Sequence, residues 1–222
     1  MRFVAFGDSA TDGPSTRDYP DILRELLGEQ PETFANEGIG GETSDEGRVR
    51  LDGLLGDGLF PNAEVLFYWE GGNDVARFIK ELDPFLLTSP IGPNYPFANQ
   101  LADRLDRVQA DIQSAIAAAR AVGLTVYVAT YFTLQVGAGE CDALPFDVIL
   151  PSQAANANAY IAMLNDRIRD AASAEGAILV DVEAASAAIE ADPANYFNCN
   201  HLSAQGNAIV ADLFFDAIPH GG

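Results

Sequence analysis

Five short apolar runs, at residues 3–6, 33–36, 63–69, 124–132 and 177–182, recur along this chain, and apolar residues at helical spacing fill the stretches between them. Strands that alternate with helices fold as a parallel sheet with helices packed on both faces, so the pattern specifies an α/β protein, a three-layer α/β/α sandwich. The first helical stretch, 18–27, carries Ile22, Leu23, Leu26 and Leu27 and stops at Gly28. A second starts at Ser44 and shows Val49, Leu51, Leu54 and Leu55. A long third one, marked by Leu101, Leu105, Val108, Ile112, Ile116 and Val122, ends at Gly123. Pro151-Ser152 opens a fourth, with Tyr160, Leu164 and Ile168 inward, and Ser203 caps a last one that buries Ile209, Val210, Leu213 and Phe214. The run 63–69, bounded by Pro61-Asn62 and Gly71-Gly72, is the strongest strand and belongs in the middle of the sheet. With 222 residues, 48% of them hydrophobic, and no shift in composition, the chain reads as a single domain over 1–222. The segment 81–100 is too apolar for a linker, with Phe85, Leu86, Leu87, Ile91, Tyr95 and Phe97 set among four prolines. It either lines a substrate pocket or packs as a surface flap.

Open α/β sheets place their chemistry beyond the carboxyl ends of the strands. Gly7 and Asp8 break the first apolar run, which puts Ser9 at such an end, where it is either a helix cap or a nucleophile. Gly38-Ile39-Gly40-Gly41 follows the second run. It is not a dinucleotide fingerprint, because Thr43 stands where a third glycine would be and the glycines follow the second strand, not the first. Glu70-Gly71-Gly72-Asn73-Asp74 follows the third run, and Asn198-Cys199-Asn200-His201 lies beyond the fifth. A serine hydroxyl needs a base to accept its proton, and only two histidines exist. His220 falls in the carboxyl-terminal tail, whereas His201 arrives at the same sheet edge as Ser9.

In order and spacing these four blocks resemble those of the SGNH (GDSL-type) esterase and lipase family, over nearly the whole chain. The resemblance implies a flavodoxin-like, five-stranded parallel sheet in the order 2-1-3-4-5. It implies ester hydrolysis through an acyl-enzyme on Ser9, with His201 as general base and acid. The oxyanion hole would be the backbone amides of Ser9 and Gly41 and the side-chain amide of Asn73. No metal and no other cofactor is implied, and the partner is a small-molecule ester. Lacking a long apolar lid, the chain is expected to favour short acyl groups. The last block departs from the family, which usually carries an aspartate three residues before the histidine, where this chain has Asn198. Asn198 could still hold the ring through its oxygen, Asp192 or Glu190 could fold in to replace the acid, or a backbone carbonyl could orient the imidazole. Asp8, Asp12 and Asp74 are expected to organise their loops. Two other readings stand beside the esterase: a metal-dependent phosphoesterase using Asp8, Asn73, Asp74 and His201, and a non-catalytic ester- or glycan-binding domain.

With 12 basic residues against 33 acidic ones, the net charge of −21 excludes nucleic acid and stable association with anionic membranes. The same bias fits either a salt-adapted protein or a skewed genomic composition. The sequence opens directly into its first strand, so a cytoplasmic protein is expected from the sequence as it stands, and a secreted or periplasmic one if a signal peptide has been removed. Oligomeric state leaves no mark on the sequence. Cys141 and Cys199 each fall in a loop beyond neighbouring strands, which allows a disulfide or a reduced pair, while a zinc site lacks neighbouring histidines.

Overall fold

All five residues of β1 (Phe3–Gly7) are buried, as they must be in a strand covered on both faces. In the computed structural model, which describes residues 1–136, 141 and 149–219, β1 lies between β2 (Phe34–Gly38) and β3 (Val65–Trp69). Beyond β3 come β4 (Thr125–Ala129) and β5 (Ile178–Val180). All neighbours are parallel, and the order is 2-1-3-4-5. The helices are α1 (Tyr19–Leu26), α2 (Ser44–Gly56), α3 (Gly72–Leu82), α4 (Ala98–Ala121), α5 (Pro151–Glu175), the short α6 (Ser186–Glu190) and α7 (Ala204–Ala217).

Because side chains alternate across a strand, neighbouring residues of one strand enter different layers. Val4, Phe6, Leu66, Tyr68, Val126 and Val128 pack with Leu51 of α2, Phe78 of α3, Val108 of α4 and Leu164 of α5. Phe3, Ala5, Phe67, Trp69, Tyr127 and Ala129 pack instead with Tyr19 and Leu23 of α1 and Val210 and Phe214 of α7. The Tyr19 and Phe214 rings stack at 4.7 Å and close this second layer. The two cores make the molecule a single α/β domain of three layers.

Several elements differ from the pattern read along the chain. Strand β2 begins at Phe34 because residues Pro31–Thr33 form a 3₁₀ turn closed by the Thr33 amide on Gln30. Helix α3 has no counterpart among the expected elements, although Val75, Phe78, Ile79 and Leu82 repeat at helical spacing; the glycines that start it read as loop. Val49 lies off the inward stripe of Ser44, Gly47 and Leu51 on α2, and Val122 lies past the last residue of α4, so both are exposed. The 81–100 segment packs as a flap: Leu86 and Tyr95 join the core, while Phe85, Leu87 and Ile91 face solvent. Side chains of α5 hold it, Gln153 donating to Phe85 O at 3.2 Å and Asn156 to Leu86 O at 2.7 Å. Cys141 and Cys199 form a disulfide, with Cα atoms 5.0 Å apart. Gly137, Gly139 and Pro145 of the loop before α5, and His220, lie outside the described residues. Among the described residues no helix is long and apolar enough to cross a membrane.

Candidate active site

Ser9 is presented by a turn that only glycine permits at its entry. A Cβ on Gly7 would collide with Thr11 Oγ1 and with the carbonyl of Trp69, so the chain can turn tightly against the end of β3. The Asp8 amide donates to Trp69 O at 3.1 Å, and the amides of Thr11 and Asp12 donate back to Asp8 O at 3.0 and 3.1 Å. Asp8 Oδ1 takes the Ala10 amide at 2.8 Å, which leaves Ser9 at the crest of the turn, half-buried.

His201 reaches Ser9 from 192 residues away, its Nε2 lying 2.9 Å from Ser9 Oγ. The loop that carries it folds on Asn198, whose Oδ1 accepts the amides of His201 at 2.8 Å and Asn200 at 3.1 Å. The same oxygen lies 3.1 Å from His201 Nδ1. An amide oxygen can only accept, so Nδ1 carries the proton and Nε2 is left with the lone pair that faces the serine hydroxyl. Asp192 does not reach the ring. Its carboxylate is used locally, Oδ1 capping the 3₁₀ turn at the Ala194 amide (2.9 Å) and Oδ2 accepting from Gln205 Nε2 (3.1 Å). Glu190 likewise accepts from Thr133 Oγ1.

Gly41 and Asn73 flank the serine. Gly41 has φ +85°, a left-handed conformation that a side chain would strain. Its turn is tied to β1 by the Ile39 amide on Gly7 O (2.8 Å), and Arg77 Nη2 donates to Gly41 O at 3.0 Å. Asn73 sits in the first turn of α3, and its Nδ2 donates to Glu42 O at 2.9 Å and, more loosely, to Asp8 Oδ2 at 3.3 Å. Asp8 Oδ2 also receives the Tyr131 hydroxyl at 2.8 Å. Tyr131 is itself gripped through its backbone by the fully buried Asn165, which accepts its amide at 2.7 Å and donates to its carbonyl at 2.8 Å.

Burial pushes the Asp8 carboxyl up to about 7; the charges of Asp74 and Glu42 add to the rise, against the hydrogen bonds from Ala10 and Tyr131. Burial also holds Glu70 well above the usual carboxylate range, with Asp8 and Glu42 reinforcing it. Neither Glu70 oxygen has a hydrogen-bond partner, and the neighbouring Glu42 is paired with Arg50 at 2.5 Å. Asp74 is buried and raised for the same first reason, and accepts the Ser44 amide that opens α2 at 2.8 Å. Among the described residues no group of three histidine, cysteine, aspartate or glutamate side chains is gathered to hold a metal, so Asp8, Asp74 and His201 do not form a ligand set.

Among the described residues three spaces meet at the serine: a small one of about 10 Å³ against Asp18, Phe132 and His201, and two larger ones that share Ser9, Asn73, Ala76 and Asn200. One, of about 90 Å³, is apolar and runs between α3 and α5 past Tyr131 and Leu134. The other, of about 450 Å³, is a polar groove lined by Asp12, Gly40, Gly41, Arg77, Lys80 and His201. No residue of 81–100 lines either one, so the pocket role considered for that segment is not what the structure gives it. Tyr131 and Asn165 carry no motif; what brings Tyr131 to Asp8 is a contact across 123 residues.

The family model described as GDSL-like Lipase/Acylhydrolase matches residues 5–209. No curated protein sequence matches the chain. Among solved structures, the acetyl xylan esterase AlAXEase shares 20% identity at a TM-score of 0.65, covering 99% of this chain and 100% of its own. Phospholipase A1 from Streptomyces albidoflavus NA297 also shares 20% identity, at a TM-score of 0.64 with 97% and 98% covered. A member of the lipolytic G-D-S-L family from Veillonella parvula DSM 2008 shares 14% at a TM-score of 0.67, with 97% of each chain covered.

Proposed function

The chain belongs to the GDSL-like lipase/acylhydrolase family, and from that premise we propose that it is a serine esterase that hydrolyses short-chain carboxylic esters of lipid, aryl or sugar alcohols through an acyl-enzyme on Ser9. The observation that carries this reading is the 2.9 Å approach of His201 Nε2 to Ser9 Oγ, in the tautomer that Asn198 selects. His201 takes the hydroxyl proton as Ser9 Oγ attacks the ester carbonyl, and returns it to the departing alkoxide. Water then enters by the same route and releases the acid. The oxyanion formed at each attack is received by the amides of Ser9 and Gly41 and by Asn73 Nδ2, each such donor being worth about 3 to 4 kcal/mol of barrier in comparable sites. The Cys141–Cys199 disulfide supports an oxidising compartment, the periplasm or the outside of the cell, over the cytoplasm.

Ser9→Ala and His201→Ala should each abolish most hydrolysis of p-nitrophenyl acetate, and the double variant should be little worse, because the two side chains act as a unit. An organophosphonate should label Ser9 stoichiometrically with EDTA present. Additive losses, or no labelling, would overturn the reading.

A further inference from the structure

We propose that the apolar cavity between α3 and α5 receives the acyl chain, that Ala157 and Ile161 set its length, and that the substrates are esters of acids of about four carbons with a polar alcohol. This rests on the serine-esterase reading above and adds a direction to it. The group that protonates the leaving alkoxide must lie on the alcohol side of the scissile bond. His201 lines the polar groove and does not line the apolar cavity. The third space, which His201 also lines, is of about 10 Å³ and too small for an alcohol group, so the alcohol lies in the groove and the acyl chain is left the apolar cavity.

The contents of the two spaces agree with that direction. Away from the four residues it shares with the groove, the cavity is walled mainly by apolar side chains, Val75, Ile79, Leu134, Ala157, Ile161 and Leu164 among them, with Asp8 and Tyr131 its polar members. Ala157, Ile161 and Leu164 fall at i, i+4 and i+7 of α5 and so present one stripe to it. A cavity of 150 Å³ is known to hold benzene, six carbons, so by proportion one of about 90 Å³ holds about four. With the carbonyl carbon outside at Ser9, that accommodates butanoyl or pentanoyl and leaves no room for octanoyl. Ala157 is the smallest residue on the stripe and is fully buried, so any larger side chain there must project into the space.

Initial rates with p-nitrophenyl acetate, butanoate, hexanoate and octanoate, which share one leaving group, read the cavity directly. Each methylene buried in the cavity is worth about fourfold in kcat/KM, so butanoate, with two more than acetate, should exceed it by about fifteenfold. Octanoate should then fall at least tenfold below butanoate. Ala157→Leu adds three carbons to a space for about four and should lower the butanoate-to-acetate ratio by about tenfold. Ile161→Ala, at a half-buried position, should move the optimum to hexanoate, which keeps the inference testable if the leucine variant fails to fold. A parallel series of alkyl acetates, from ethyl to octyl, should respond to neither substitution. An octanoate optimum in the wild-type protein, unchanged acyl ratios in both folded variants, or a response confined to the alkyl acetates would overturn the inference while leaving the esterase standing. Failure of the wild-type protein to hydrolyse any ester would overturn both.

Discussion

Asn198 Oδ1 accepts from three donors at once, two backbone amides and the imidazole, so one residue shapes the loop and sets the ring's tautomer. What it does not supply is charge. In a serine protease that uses a like triad on an unrelated fold, exchanging the corresponding aspartate for asparagine costs about 10⁴ in kcat, largely through a wrong tautomer, a fault this geometry avoids. On the acyl-enzyme mechanism proposed above, Asn198→Asp should therefore raise kcat only about tenfold, by stabilising the imidazolium that this mechanism forms. The same charge should move the acid limb of the kcat/KM profile to higher pH; an unchanged rate and limb would show that the loop already meets the need. Asn73 is expected to act only on the charge that develops. Asn73→Ala should lower kcat by about 10² to 10³ with KM nearly constant, and a pure KM effect in steady-state kinetics would make it a substrate-binding residue instead.

The loop from Tyr196 to Leu202 belongs to no helix or strand, yet it must hold His201 to within a hydrogen bond of Ser9. A single bridge between Tyr196 and Leu202 closes its neck. It is then fastened to the stretch that follows β4 by the Tyr196 hydroxyl on Thr133 O (3.0 Å), by the Gln135 amide on Cys199 O (2.9 Å) and by the disulfide at Cys199. A crosslink spanning 58 residues removes about 4 kcal/mol of chain entropy from the unfolded state. Cys141→Ser should lower the unfolding free energy by roughly that amount in urea titrations, and should lower esterase activity before global unfolding begins, because Cys199 lies two residues from His201. Activity that persists unchanged up to the unfolding transition would show that the hydrogen bonds alone keep the loop in place.

Across the whole molecule the acids dominate, on the surface through a net charge of −21 and at the carboxyl edge of the sheet through buried carboxyls. Asp8 is raised by burial to about 7 and Asp18, again mainly by burial, to about 6, and Glu70 and Asp74 move the same way. Each of these native carboxyls keeps its proton at a pH where the unfolded chain has lost it, so each favours the fold at low pH and ceases to do so as pH rises through its native value. Asp8 alone should cost stability at about 1.4 kcal/mol per pH unit between about 4 and 7, and easing self-repulsion at lower pH acts in the same direction. The melting temperature should therefore be higher at pH 5 than at pH 8, and Asp8→Asn should flatten the dependence. A maximum at pH 8 in calorimetry would contradict the buried-acid account.

Local spacing along the chain determined the layers, the five strands and the positions of Ser9, Gly41, Asn73 and His201 at strand ends, because alternation, glycine turns and helix caps are properties of neighbouring residues. Even there, α3 was hidden behind the glycines that begin it, where turn signals outweighed a four-residue periodicity. Distance in space was decided only by the tertiary structure. Asn198 and not Asp192 meets the imidazole because Asp192 is consumed by its own turn, a competition between hydrogen bonds that residue types do not reveal. Tyr131 and Asn165 stand behind Asp8 and Asn73 because β3 and β4 are neighbours and α5 packs over them, and the apolar cavity exists because α3 and α5 leave a gap there. The disulfide needed the same closure, since two cysteines far apart in the chain pair only when strand order brings their loops together.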